Sequence, residues 1–185
     1  ALHLLHAWST QYGLCLGQVS VHEKSNEITA FPELINALEL KGTIITADAL
    51  NTQKTSTAAI IGKGADYVLP VKANHKDLHD DIEVIFNAAD KQKFCGLDAV
   101  QSQSMEKSAG RIEERFYDLI DAEDLPEREK WVGCQSVGRV IRKRTKRGKT
   151  STEVCFYITS LDLNIEKFAK AVREHWGVEN GLHLS

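Results

Sequence analysis

Two carboxylates have the type and setting to do chemistry. Asp48 closes the stretch GTIITADAL at 42–50, in which Ile44, Ile45 and Ala47 suit a buried strand. An ionised carboxylate there is costly unless something pairs with it. Asp48 therefore either caps the next helix or aims its charge at a cation. Glu179 stands near the other end, in REHWGVENGLH. His175, Glu179 and His183 recur at i, i+4 and i+8 along one helical stripe. Val172, Trp176 and Leu182 flank that stripe and should face a core. A Glu beside a Trp on the inward side of a helix is either satisfied by a basic neighbour or binds metal.

A strand-end acid and a late-helix acid together suit one chemistry. Two Mg²⁺ ions held ~4 Å apart by carboxylates activate a water or a 3′-hydroxyl and stabilise the leaving oxygen in phosphoryl transfer. Mg²⁺ takes hard oxygen ligands and keeps open positions for phosphate oxygens. A third carboxylate is normally wanted, and its natural place is a strand before residue 1. The run Arg142, Lys143, Arg144, Thr145, Lys146, Arg147, Gly148, Lys149 adds six cations in eight residues. It reads either as a solvated hairpin tip or as a contact for a phosphate backbone. No aromatic residue interleaves it, so base readout is not implied.

Other motifs fail on inspection. Arg147-Gly148-Lys149-Thr150 lacks the upstream glycine of a phosphate-binding loop, since Lys143 holds that place, and it sits between strands. His75 and His79 have the spacing of a zinc-protease helix, but Lys76 stands where the general-base Glu belongs. No GxSxG elbow occurs. Four scattered cysteines without a CxxC read as reduced core thiols. The chain is 42% hydrophobic and 26% charged with net charge −3, which is ordinary for a globular protein. No apolar run approaches the ~20 residues of a membrane span. The start lacks a signal-peptide pattern, and both ends read as cut, so the chain is taken as a fragment.

The elements that must position these residues follow from periodicity. Residues 2–9 and 14–21 form a plausible hairpin around Thr10–Gly13. A helix follows over 27–40, capped by Ser25 or Asn26, with Pro32 in its first turns and Gly42 at its end. Strands at 42–50 and 65–72 alternate with helices at 52–62 and 74–91. That order, β-β-α-β-α-β-α, implies a sheet with a parallel portion and helices on both faces. Ligands of such sheets lie beyond the carboxyl ends of the strands, where Asp48 falls. From Gln92 the pattern becomes antiparallel, with strands at 111–120, 131–144 and 151–161, before a last helix at 164–183. The division is a core over 1–91, a β-rich insertion over 92–163, and a core helix over 164–185.

HLLHAWS, LGQVSVHEKSNEITAFPELINALEL, GTIITADALNTQ, GADYVLPVKANHKDL, GRIEERFYDLI and VREHWGVENGLH resemble, in order, the DDE transposases of bacterial insertion sequences, specifically the H-repeat-associated group. The resemblance implies an RNase H-like α/β fold, a mixed central sheet flanked by helices, interrupted by an antiparallel β insertion. It implies Asp48 and Glu179 as the second and third acids of the triad and as ligands of Mg²⁺, with Mn²⁺ as a substitute. The first Asp lies upstream of this chain. Implied too are DNA cleavage at element ends and strand transfer into double-stranded target DNA, in the bacterial cytoplasm at the nucleoid, with no membrane partner. A homodimer is left open. Lys72, Asn74, Arg142, Lys143, Arg144, Lys146, Arg147, Lys149 and His175 are the expected DNA contacts. His175 holds the place of the family's Arg before the last acid, and Val172 that of its Tyr. Ala109 replaces a usual His and Leu184 a usual Trp. A decayed or domesticated DNA-binding module without chemistry, and a nuclease that cuts without joining, are the competing readings.

Overall fold

The computed structural model describes the backbone of residues 3–9, 14–21, 24–108 and 110–182, and the side chains of 17, 18, 27–108 and 110–177. Ser25, Asn26, Cys15, Ala109, His183 and the 10–13 turn lie outside these side-chain limits, as does the side chain of Glu179. The elements run β1 (His3–Ser9), β2 (Leu14–Val21), α1 (Lys24–Ala37), β3 (Ile44–Thr46), α2 (Lys54–Gly62), β4 (Asp66–Val71) and α3 (Lys76–Lys91). There follow β5 (Ala99–Ser108), β6 (Arg111–Asp121), β7 (Ser136–Lys146), β8 (Lys149–Thr159) and α4 (Ile165–Leu182).

The protein is a mixed α/β fold. β1 and β2 pair antiparallel as a separate two-stranded sheet. A Cβ added at Gly17 would lie 3.2 Å from Leu34 Cδ1, so the missing side chain is what lets the hairpin lie close on α1. The other strands form one sheet in the order β3-β4-β8-β7-β6-β5, in which only β3 and β4 are parallel. Strands from the β-rich segment thus continue the sheet that carries Asp48, because β8 pairs with β4.

Alternation along the strands supplies each face with its own core. Tyr67, Leu69, Val71, Val137, Phe156 and Ile158 point to the face covered by α3, through Leu78, Ile82 and Phe86. Val68, Tyr117, Leu119, Val140 and Tyr157 point to the other face, covered by Phe168 and Val172 of α4. Phe168 is wholly buried and makes edge contacts with Tyr117 and Tyr157. It sits directly over Gly138, where an added Cβ would come within 2.5 Å of its ring. Gly138 is therefore the seat of α4 on the sheet.

Three expectations need correction. The first helix starts at Lys24 and ends at Ala37, so Pro32 lies in its interior and removes a backbone hydrogen bond there. The 131–144 strand begins only at Ser136, because Trp131, itself buried, ends the 3-10 turn at Arg128–Lys130. β5 was not expected at all. Its sequence, AVQSQSMEKS, is mostly exposed and polar and carries little hydrophobic signal.

Candidate active site

β3 and β4 run parallel, so their carboxyl ends meet at one edge of the sheet. Thr46 pairs with Val68, whose side chain belongs to the α4 face, and so Thr46 shares that face. Asp48, two residues on, returns toward the same side. The loop that carries it is tied down from several directions. Asn74 Nδ2 donates to the Ala49 carbonyl at 2.9 Å, and Asn51 Nδ2 donates to Glu27 Oε1 at 2.9 Å. Thr52 Oγ1 donates to the Pro70 carbonyl at 2.7 Å, tying the loop to the end of β4. Ala47 and Ala49 are buried on either side of Asp48.

The Asp48 side chain itself is 70% exposed. This corrects the expectation of a buried acid: there is no desolvation cost for an ion to offset. It also removes the capping alternative, because Asp48 precedes a short 3-10 turn without any side-chain cap hydrogen bond. What remains is an exposed carboxylate on a rigid loop, with oxygens open to a cation.

α4 comes to this carboxylate. His175 Nδ1 lies 3.1 Å from Thr46 Oγ1, and His175 Nε2 lies 4.0 Å from Asp48 Oδ1. Glu179 is one helical turn further along α4. Helix and strand end, far apart in the chain, are therefore neighbours in space. Thr46, Glu27 and Asn51 were not singled out as site residues. Glu27 and Asn51 fall inside quoted motifs, but nothing in their spacing shows that they join.

The expected DNA contacts separate into groups. Lys72 is exposed just after β4, and Asn74 fastens the Asp48 loop as described. Arg142 is held in an ion pair with Glu153, and its guanidinium stacks on Trp176 at 4.4 Å from the ring centre. The hydrogen bond from Arg142 holds the Glu153 carboxyl below its ordinary range, and the charges of Arg144 and Lys72 act in the same direction. Lys143 points to the opposite face, over Phe116 at 5.2 Å. Arg144, Lys146 and Lys149 lie further out on the α4 face, and Arg147 forms the turn with a positive φ of 50°. The run is therefore mostly strand, and only Arg147 and Gly148 lie between β7 and β8.

Among the described residues, one other group could hold a metal: His79, Asp80 and Glu83 on α3, with His79 half-buried and the two acids exposed. His79 packs on Phe156, which belongs to the α3 face of the sheet, and Asp80 is already paired with Lys76.

A family model described as a transposase DDE domain matches residues 1–184. The chain belongs to the DDE transposase family. It is 38% identical, over 99% of its length, to an Escherichia coli protein called only YbfL and to another, YhhI, whose name presents it as an H repeat-associated transposase. It is equally 38% identical, over 86% of its length, to a protein of Xanthobacter autotrophicus known only from its position beside dhlA. These alignments cover 49%, 49% and 53% of the relatives, so the chain spans about half the length of the curated relatives it matches. No solved structure matches it. No helix among the described residues is long and apolar enough to cross a membrane.

Proposed function

We propose that this transposase chain is part of an RNase H-like catalytic domain that cuts and joins DNA, with Asp48 and Glu179 as two of its three acids. The 92–163 segment is read as the insertion between them. The observation that carries the reading is the approach of α4 to the strand end, with His175 of that helix 4.0 Å from the Asp48 carboxylate. The first acid would come from a strand preceding residue 1. β3 pairs only with β4 among the described strands, so its other edge offers a place for such a strand beside Asp48.

The donor set suits a hard divalent cation, Mg²⁺ or Mn²⁺, because carboxylate oxygens are its preferred ligands. Bound there, the ion would polarise the phosphoryl oxygen and acidify the attacking hydroxyl. The chain's own part is positional. Buried Ala47 and Ala49, with the Asn74 and Thr52 hydrogen bonds, hold Asp48 still, and Thr46 orients His175 beside it. In the first step water attacks a backbone phosphorus at an element end and releases a 3′-hydroxyl. In the second, that hydroxyl attacks a phosphorus of target DNA and displaces its 3′-oxygen. A protein acting on chromosomal DNA in this way works in the bacterial cytoplasm, at the nucleoid.

The test is nicking and strand joining by the protein extended to the length of its relatives, in Mg²⁺ or Mn²⁺. Asp48→Asn should abolish both activities, and equal activity in that variant would refute the assignment. A second reading, a DNA-binding module without chemistry, draws on His175 itself, which stands 4.0 Å from the Asp48 carboxylate on the side open to a cation. Salt-dependent DNA affinity with no metal binding would select that reading, and cutting without joining would select a nuclease.

A further inference from the structure

We propose that the α4 face of the β6-β7-β8 sheet, at the end remote from Trp176, carries a phosphate-binding pocket that grips the backbone of double-stranded DNA away from Asp48. The inference rests on the nucleic-acid reading above only for its choice of ligand. A concavity of about 360 Å³ is lined there by Arg111, Arg144, Lys146, Lys149, Thr150 and Ser151.

Register assigns the cations to one surface. Arg111 pairs with Lys146, and Lys146 with Lys149, so three cations stand directly opposite one another across three strands. Directly opposed like charges destabilise a sheet, and such a row needs a compensating partner. Inside the protein there is little. Glu113, almost fully buried, lies 2.6 Å from Arg115, 3.4 Å from Arg144 Nε and 3.9 Å from Arg111. Glu106 also pairs with Arg115 at 2.9 Å, so two carboxylates serve three guanidinium groups. Lys146 and Lys149 have no side-chain partner among the described residues.

The ligand is a polymer because the same face continues toward the candidate active site. Arg144 and Arg142 follow Lys146 at alternate positions of β7, and Arg142 meets Trp176, the neighbour of His175. The four residue steps from Lys146 to Arg142 span ~13 Å of strand. A duplex carries one charge per ~1.7 Å of axis, so several phosphates fit over that distance.

The experiment measures binding of a labelled duplex of about 20 base pairs by anisotropy across a KCl series, with protein otherwise unchanged. Arg111→Gln combined with Lys149→Gln should weaken binding roughly tenfold at low salt and lower the log–log salt slope by about 2. Lys91→Gln combined with Lys107→Gln removes equal charge from the α3 side of the sheet and should stay within about twofold of wild type. Relief of repulsion should leave the first variant melting no lower than wild type. Equal losses in both variants, no loss in the first, a lowered melting temperature of the first, or no duplex binding by wild type would each overturn the proposal. Duplex binding is read without divalent cation and nicking with it, so failure of the catalytic reading and failure of the pocket are separate results.

Discussion

Arg142 on the sheet and Trp176 on α4 stack face to cation, 4.4 Å apart, while Glu153 pairs with the same guanidinium. The contact links the β-rich segment to the helix that carries His175 and Glu179. A residue whose charge invites assignment to DNA thus also fixes where the helix lies. Both roles are compatible, but only the second needs a planar guanidinium.

Arg142→Lys keeps the charge and loses the stack and the fork-shaped pairing. It should destabilise the protein by about 1 kcal/mol, and Arg142→Ala by about 2 kcal/mol. Urea denaturation measures both. If lysine proves as stable as arginine, the Trp176 contact contributes nothing beyond charge.

Arg139 binds two acids at once. It donates to Asp118 through Nε at 2.9 Å and to Asp90 of α3 through both terminal nitrogens at 2.7 and 2.9 Å. Asp118 is buried, so Arg139→Ala leaves an uncompensated carboxylate and should cost about 3–5 kcal/mol. The hydrogen bond from Arg139 lowers the Asp90 pKa, its largest cause. A folded pKa below the unfolded one stabilises the protein above the ordinary carboxyl range near ~4 and loses that contribution as pH falls through the lowered value. Stability should therefore fall below about pH 4, and Asp90→Asn should flatten that part of the profile.

Gly138→Ala pushes a methyl into the Phe168 ring and should cost about 1–3 kcal/mol. Combining it with Phe168→Leu should cost less than the sum of the two single changes, as expected of residues in direct contact. Strict additivity in a double-mutant cycle would show that α4 is not seated there.

Asp48→Asn should leave stability within about 0.5 kcal/mol of wild type, because the carboxylate is exposed and makes no capping hydrogen bond. Paired with loss of nicking in the extended protein, that result separates a functional acid from a structural one. A large drop in stability would assign Asp48 to the fold instead.

The sequence by itself determined that a strand precedes Asp48, that a helix follows it, and that the sheet has a parallel portion. Those are consequences of local periodicity and of short connections, which a chain writes into consecutive residues. It also placed Asp48 at a strand end and Glu179 one turn beyond His175. Tertiary structure alone decided that Asp48 is exposed, that His175 reaches it, and that Glu27, Asn51 and Asn74 brace its loop. It also divided one basic run into Arg142 against Trp176, Lys143 on the far face and Lys146 beside Lys149. The physical reason is the same in each case. Burial, pairing and stacking depend on which distant segment arrives opposite a residue, and a pleated strand sends neighbouring side chains to opposite faces.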